Sequence, residues 1–296
     1  MDEVALPIVL AWELNRPDWA HIEKAADFIV ANGPRTGQER WENQDGYSPN
    51  TIATEIAGLV CAADIARRNG ATAKADTYLA TADDWQRRVE AMTATSNGPL
   101  SPSPYYLRLT KDANPNDGST YDLGDNYSPN PIDERRVVDN SFLGLVLFGA
   151  KKWNNPTVVN SLAVGDRQLR VDTPNGPVWH RFSFDGYGET ADGGDWNIFP
   201  TAANQTHGRL WPLLTGERGE YELLAGRKAD AYLQTMARTA NDGLMLPEQV
   251  FENSGEGTRS ATPLAWTHAQ FIRLARSIQA GTPIERPSIV ADRYSR

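Results

Sequence analysis

Apolar residues recur along this chain three or four positions apart, in one segment after another, which is the spacing of amphipathic helices. Over 3–15 the pattern puts Val4, Ile8, Ala11 and Trp12 on one face, and over 18–32 it does so with Trp19, Ile22, Ala26, Ile29 and Val30. Over 49–68 the apolar positions are Ile52, Ile56, Leu59, Val60 and Ala63. That segment opens on Ser48-Pro49, a capping hydroxyl followed by the residue suited to a first helical position. It closes on Arg67, Arg68, Asn69 and Gly70: cations at the negative end of the helix dipole, then a glycine able to leave it. Further helices are predicted over 71–94, 137–153, 155–171, 206–215, 217–240 and 260–279, about nine in all.

Strand signals are thin. Residues 177–187 (PVWHRFSFDGY) alternate in part and predict a short hairpin arm. The connections 33–48, 95–136, 172–205 and 241–259 are rich in Gly, Pro, Asn and Asp. Loops longer than about 15 residues are rare in a compact domain unless they serve a function. Here they recur after every second helix, as they would in helical hairpins whose loops gather at one end. Neither a shift in composition nor a strict repeat marks a boundary, so the pattern predicts one all-α domain over 1–296, most simply a toroid or barrel.

Composition narrows the chemistry. With 296 residues, 40% hydrophobic and 23% charged, the chain has the balance of a globular protein. A net charge of −9 argues against a nucleic-acid partner. No apolar run approaches the roughly 18 residues of a membrane span. The apolar opening from Ala5 to Trp12 follows Asp2 and Glu3, unlike the basic start of a signal peptide, so localisation stays undecided. The single cysteine, Cys61, excludes an internal disulfide and any multi-thiolate zinc site. Nine Trp and ten Tyr in an acidic chain suit a neutral, hydroxyl-rich ligand such as a sugar, although most of the tryptophans are expected to fill core.

Several familiar sites are absent: there is no G-x-S-x-G elbow, H-E-x-x-H, P-loop or G-x-G-x-x-G. The histidines, His21, His180, His207 and His268, are far apart in sequence. The stretch 112–123 begins like a calcium loop, but Gly118 falls one place late and Leu123 stands where a bidentate Glu belongs. Asp83-Asp84, one turn before Arg87 and Arg88, reads as solvated ion pairs. What remains is carboxylates beside aromatics in the long loops. Glu42 follows Trp41, and a Glu desolvated against a Trp has the raised pKa that a general acid needs. Glu248 stands between apolar residues in a second loop, Arg181 and Asp185 lie in a third, and Trp266 opens the last helix. Two carboxylates facing each other across a cleft are what glycoside hydrolysis uses.

The segments 39–66 (ERWENQDGYSPNTIATEIAGLVCAADIA), 105–121 (YYLRLTKDANPNDGSTY), 179–189 (WHRFSFDGYGE), 208–226 (GRLWPLLTGERGEYELLAG) and 246–275 (LPEQVFENSGEGTRSATPLAWTHAQFIRLA) resemble the prokaryotic glucoamylase and glucodextranase group, glycoside hydrolase family 15. The resemblance covers nearly the whole chain. It implies an (α/α)6 barrel of twelve helices and inverting, exo-acting hydrolysis of α-glucosidic bonds. It makes Glu42, directly after the Trp, the general acid and Glu248, directly before Gln249, the general base. It places Trp41, Arg181 and Trp266 around the glucose; Asp185, beside Arg181 in the same loop, reads as orienting Arg181 or the loop at the sugar site. Inversion needs the two carboxyl groups roughly 6.5–9.5 Å apart to admit a water.

The departures from the family pattern carry their own expectations. Only two predicted helices precede Glu42 where the family has five, and eight precede Glu248 where it has eleven. The resemblance therefore implies a barrel lacking its first three helices, together with the early-loop Arg–Asp pair that grips the sugar. The second Glu after the Trp is Asn43 here. Such a barrel would leave apolar faces on the helices at 3–15 and 260–279, open to self-association, and the chain would be weakly active, inactive or a sugar binder. Glucodextranase- or trehalase-type specificity is the alternative to glucoamylase. No cofactor is implied; some relatives hold structural calcium, which nothing in these loops compels.

Overall fold

The computed structural model describes residues 1–125, 128–190, 194 and 201–295. In chain order the elements are α1 (Asp2–Glu13), α2 (Trp19–Asn32), α3 (Pro49–Arg68), α4 (Thr72–Thr93), β1 (Ala94–Thr95), β2 (Tyr105–Tyr106), β3 (Thr120–Tyr121), β4 (Ile132–Asp133), α5 (Gly144–Leu147) and α6 (Pro156–Leu169). They continue with β5 (Arg170–Thr173), β6 (Gly176–His180), β7 (Gly188–Thr190), β8 (Thr206–Gly208), β9 (Leu210–Trp211), α7 (Pro212–Leu224), α8 (Asp230–Arg238), α9 (Ala265–Ala280) and α10 (Ser288–Tyr294). The chain divides into two compact units. One comprises Met1–Ser119, Ser141–Val158 and Glu285–Arg296; the other comprises Thr120–Asn140 and Val159–Ile284. No helix among the described residues is long and apolar enough to cross a membrane.

The first unit is organised around α3. Every residue from Pro49 to Ala63 is buried, and α1, α2, α4 and α5 all pack on this helix. Gly58 makes the approach of α1 possible: a Cβ there would lie 3.1 Å from the Ala5 Cβ and 3.2 Å from its carbonyl oxygen. The Ser48 hydroxyl expected to cap α3 makes no capping hydrogen bond. The Asp18 side chain accepts from Ala20 N at 3.1 Å to cap α2, and Pro49 starts α3. Asp84 does pair with Arg88 at 2.8 Å and with Arg87 at 3.4 Å. Asp83 instead reaches α10, where it accepts from Arg293 Nε and Tyr294 Oη, both at 2.7 Å.

The helix predicted over 137–153 is not formed. A 3-10 turn at Ser141–Leu143 and the four-residue α5 stand in its place. Residues 137–146 are all buried, so the run is apolar because every side is enclosed and not because one helical face is.

In the second unit α7, α8 and α9 pack together. Glu220 of α7 ties α9 down by accepting from Arg273 Nε at 2.9 Å, Gln270 Nε2 at 3.1 Å and Ser277 Oγ at 3.1 Å. The predicted hairpin arm is a three-stranded antiparallel sheet in the order β5-β6-β9, and the chain leaves it after His180. The helices expected over 206–215 and 217–240 fall differently. Residues 206–208 and 210–211 form β8 and β9, and the helix starts at Pro212, whose missing amide donor costs nothing at a first helical position. The chain turns at Gly226, φ +72°, before α8 begins.

Candidate active site

The turn that follows β6 carries a buried polar cluster. Arg181 is 4% exposed. Its Nε donates to Asp185 Oδ2 at 2.7 Å, and its Nη2 donates to Asp185 Oδ1 at 2.6 Å and to Asp125 Oδ2 at 2.7 Å. The rings of Tyr187, Phe182 and Trp211 lie 4.6, 4.9 and 5.3 Å from its guanidinium carbon. The turn that allows this is strained: Phe184 has φ +64°, and Asp185 accepts the Tyr187 amide at 2.9 Å to close the loop. Gly208 donates to the Asp185 carbonyl at 3.0 Å, and a Cβ on it would fall 2.6 Å from the Asp185 carboxyl carbon.

Glu248 stands on a loop bound to the same region. Its amide donates to the Ala261 carbonyl at 2.9 Å, while Val250 and Leu210 exchange both backbone hydrogen bonds, at 2.9 and 3.2 Å. Gln249 is fully buried, donating from Nε2 to the Tyr187 carbonyl at 2.9 Å and accepting the Arg209 amide at 3.1 Å. The Glu248 carboxyl is half-buried. Burial pushes its pKa up; the Arg181 charge and a hydrogen bond from Gln249 pull it down, and Asp185 adds to the upward push.

In the first unit the loop bearing Glu42 is pinned from behind. Arg108, fully buried, donates to Glu39 Oε1 at 2.7 Å and also to Asn43 Oδ1. The Trp41 amide donates to Glu39 Oε2 at 3.0 Å. Lys111 Nζ donates to Gln44 Oε1 and Asp45 Oδ1, both at 2.7 Å. Trp41 is buried, with the Arg40 guanidinium 4.7 Å above its ring. Glu42 itself has φ +64°, a left-handed conformation that costs a non-glycine residue of order 1–3 kcal/mol and tends to occur at functional sites. Its side chain is exposed, so the desolvation against Trp41 that the sequence suggests is not present.

Of the residues singled out from the sequence, Arg181, Asp185 and Glu248 are brought into electrostatic reach of one another. Trp41 and Glu42 sit on the first unit, and Trp266 opens α9 and is 39% exposed. Sequence reading missed Asp125, Tyr187, Trp211, Gln249 and Arg209 as parts of the site. Tyr187, Arg209, Trp211 and Gln249 lie inside the segments that carry the family resemblance. Asp125, 56 positions from Arg181, had no local signal.

The profile of the glycosyl hydrolases family 15 matches residues 4–276. A glucoamylase of Clostridium sp. (strain G0005) is 43% identical over 99% of this chain and 41% of its own length. The crystal structure of a bacterial glucoamylase complexed with acarbose superposes with a TM-score of 0.93 at 42% identity, over 100% of this chain and 43% of that one. The family 15 glucoamylase from Hypocrea jecorina shares the fold at a TM-score of 0.65 and 16% identity, over 97% of this chain and 53% of its own. The helices described above thus have the fold of the family's (α/α)6 barrel, and the chain spans about two fifths of the length of its Clostridium and bacterial relatives.

Proposed function

The chain belongs to glycosyl hydrolases family 15, and from that premise we propose that it serves the exo-acting, inverting hydrolysis of α-glucosidic bonds, releasing β-D-glucose from non-reducing ends of α-glucans. The observation that supports this most strongly is the half-buried Glu248 beside the Arg181–Asp185–Asp125 cluster, in a chain 42% identical throughout to a glucoamylase that binds acarbose.

In this reading Glu248 is ionised and takes a proton from a water as the water oxygen bonds to the anomeric carbon. The glycosidic C–O bond breaks, and Glu42 gives its proton to the leaving oxygen. One proton is gained by Glu248 and one is lost by Glu42, and exchange with solvent restores both. Water is the only co-reactant. Arg181, oriented by Asp185, donates hydrogen bonds to sugar hydroxyls, and Trp41 and Trp266 pack on the apolar face of the ring.

The test is the anomer first released from maltose, read by proton NMR before mutarotation. The β anomer, lost on Glu248→Gln, is the expected result. The α anomer refutes inversion, and unchanged turnover by Glu248→Gln refutes the role of Glu248. Faster turnover of isomaltose or trehalose than of maltose moves the specificity to the glucodextranase or trehalase type. Sugar binding without turnover by the unaltered chain refutes the catalytic reading.

A further inference from the structure

Glu248 owes its place to its neighbours in the loop, and one side chain gathers that loop from the far side. Arg209 lies between β8 and β9, and its side chain forks. Nε donates to Glu189 Oε2 at 3.0 Å, and Nη1 donates to Glu252 Oε2 at 2.9 Å. Its backbone amide donates to Gln249 Oε1 at 3.1 Å, and its guanidinium carbon lies 5.3 Å from the Phe251 ring centre. Glu189 stands on β7 two residues after Tyr187, whose carbonyl accepts from Gln249 Nε2. The contacts therefore close a ring: Tyr187 to Gln249, Gln249 to Arg209, Arg209 to Glu189, and β7 back to Tyr187. Glu248 hangs on this ring through Gln249, and Tyr187 also flanks Arg181.

The chemistry of the fork suits a clamp. Glu189 is buried and Glu252 is three-quarters buried, and a planar guanidinium presents separate N–H groups to the two carboxylates in fixed directions, where an ammonium is a single point charge. His207 Nε2 lies 3.5 Å from Glu252 Oε1. Burial works to raise the Glu252 pKa, but His207, its own backbone and Arg209 outweigh that and hold it at about 2, so Glu252 stays an anion for Arg209 across the working pH range.

We propose that Arg209 is a positioning residue for Glu248: by joining Glu189 on β7 to Glu252 it fixes the 248–252 loop, and with it the place of the Glu248 carboxylate relative to Arg181. This rests on the reading of Glu248 as general base, but part of its test does not. Arg209→Met should lower kcat about 100-fold with KM within about threefold, because Arg181 and the rings that would hold the sugar are untouched. Rates are counted per acarbose-binding site, so loss of folded protein does not enter. Arg209→Lys keeps the charge without the fork and should recover about tenfold of that loss. In both variants, amide exchange over 246–252 should quicken at least tenfold while α7 keeps its protection. Exchange that stays at the parent rate, or an Arg209→Met kcat equal to the parent's, overturns the proposal. If Arg209→Met does not fold, Arg209→Lys decides by the same two readouts. Should Glu248→Gln hydrolyse at the parent rate, the functional reading fails while the exchange result still judges the clamp.

Discussion

Arg181 and Asp185 meet in a two-pronged pair, Nε to Oδ2 at 2.7 Å and Nη2 to Oδ1 at 2.6 Å, with both side chains almost wholly out of solvent. Removing one member of such a pair leaves the other buried and unmatched, which costs roughly 3–5 kcal/mol. Asp125 stays on Arg181, so Asp185→Ala should fall at the low end, near 3 kcal/mol by urea unfolding. A loss under about 1 kcal/mol would mean that Asp125 alone satisfies the arginine.

Glu248→Gln should separate chemistry from stability. General base catalysis contributes about 10²–10⁴-fold, and kcat should fall by that much. Burial raises the Glu248 pKa, so at neutral pH the ionised carboxylate is slightly worse off folded than unfolded. The glutamine variant should therefore melt no lower than the parent at pH 7, and calorimetry on both proteins checks it. A clearly lower melting temperature would show that the carboxylate holds the loop together.

Glu42→Gly should behave in the opposite sense to an ordinary loop substitution. At φ +64° a glycine avoids the Cβ clash, although it also has more freedom to lose on folding. The net expected gain is about 0.5–1 kcal/mol in unfolding free energy, together with loss of hydrolysis. Chemical denaturation and maltose turnover measure the two halves, and a destabilised variant would show that the Glu42 side chain makes contacts worth more than the strain.

Glu55, in the middle of α3, is fully buried, and neither carboxylate oxygen has a hydrogen-bond partner among the described residues. Burial lifts its pKa to about 8, the N-terminal ammonium opposes this, and Asp2 adds to it. Its ordinary value is 4.5, so between pH 4.5 and 8 the native state holds a proton that the unfolded chain has released. The stability contribution is therefore fully present below about pH 4.5 and is lost as pH rises through about 8, a change of a few kcal/mol. Unfolding free energies at pH 5 and pH 9 should show this fall in the parent and much less of it in Glu55→Gln. Equal pH dependence in the two proteins would place the effect elsewhere.

The helices most legible in the sequence are those with a clear apolar period of three to four residues. The segments 18–32, 49–68, 71–94 and 155–171 all lie within two residues of α2, α3, α4 and α6. Periodicity misleads over 137–146, a buried run without a start signal such as the Pro49 of α3, and over 206–215, where the helix begins only at Pro212. At the site, Arg181, Asp185 and Glu248 were legible because they sit inside long recognisable segments. Asp125 lies outside those segments; Arg209 lies inside 208–226, but it and Asp125 work through ion pairs spanning 20 to 56 positions, which leave no period in the chain. The exposure of Glu42 was equally hidden: adjacency to a buried Trp41 says nothing of which way the next side chain turns once φ is positive.

Because α3 offers solvent no face from Pro49 to Ala63, water reaches Glu55 only when the helices packed around it part. The proton on that carboxyl is thus exchanged at the pace of the first unit's own opening. After a sudden jump to alkaline pH, the delay before Glu55 ionises becomes a clock for how often α3 is laid bare.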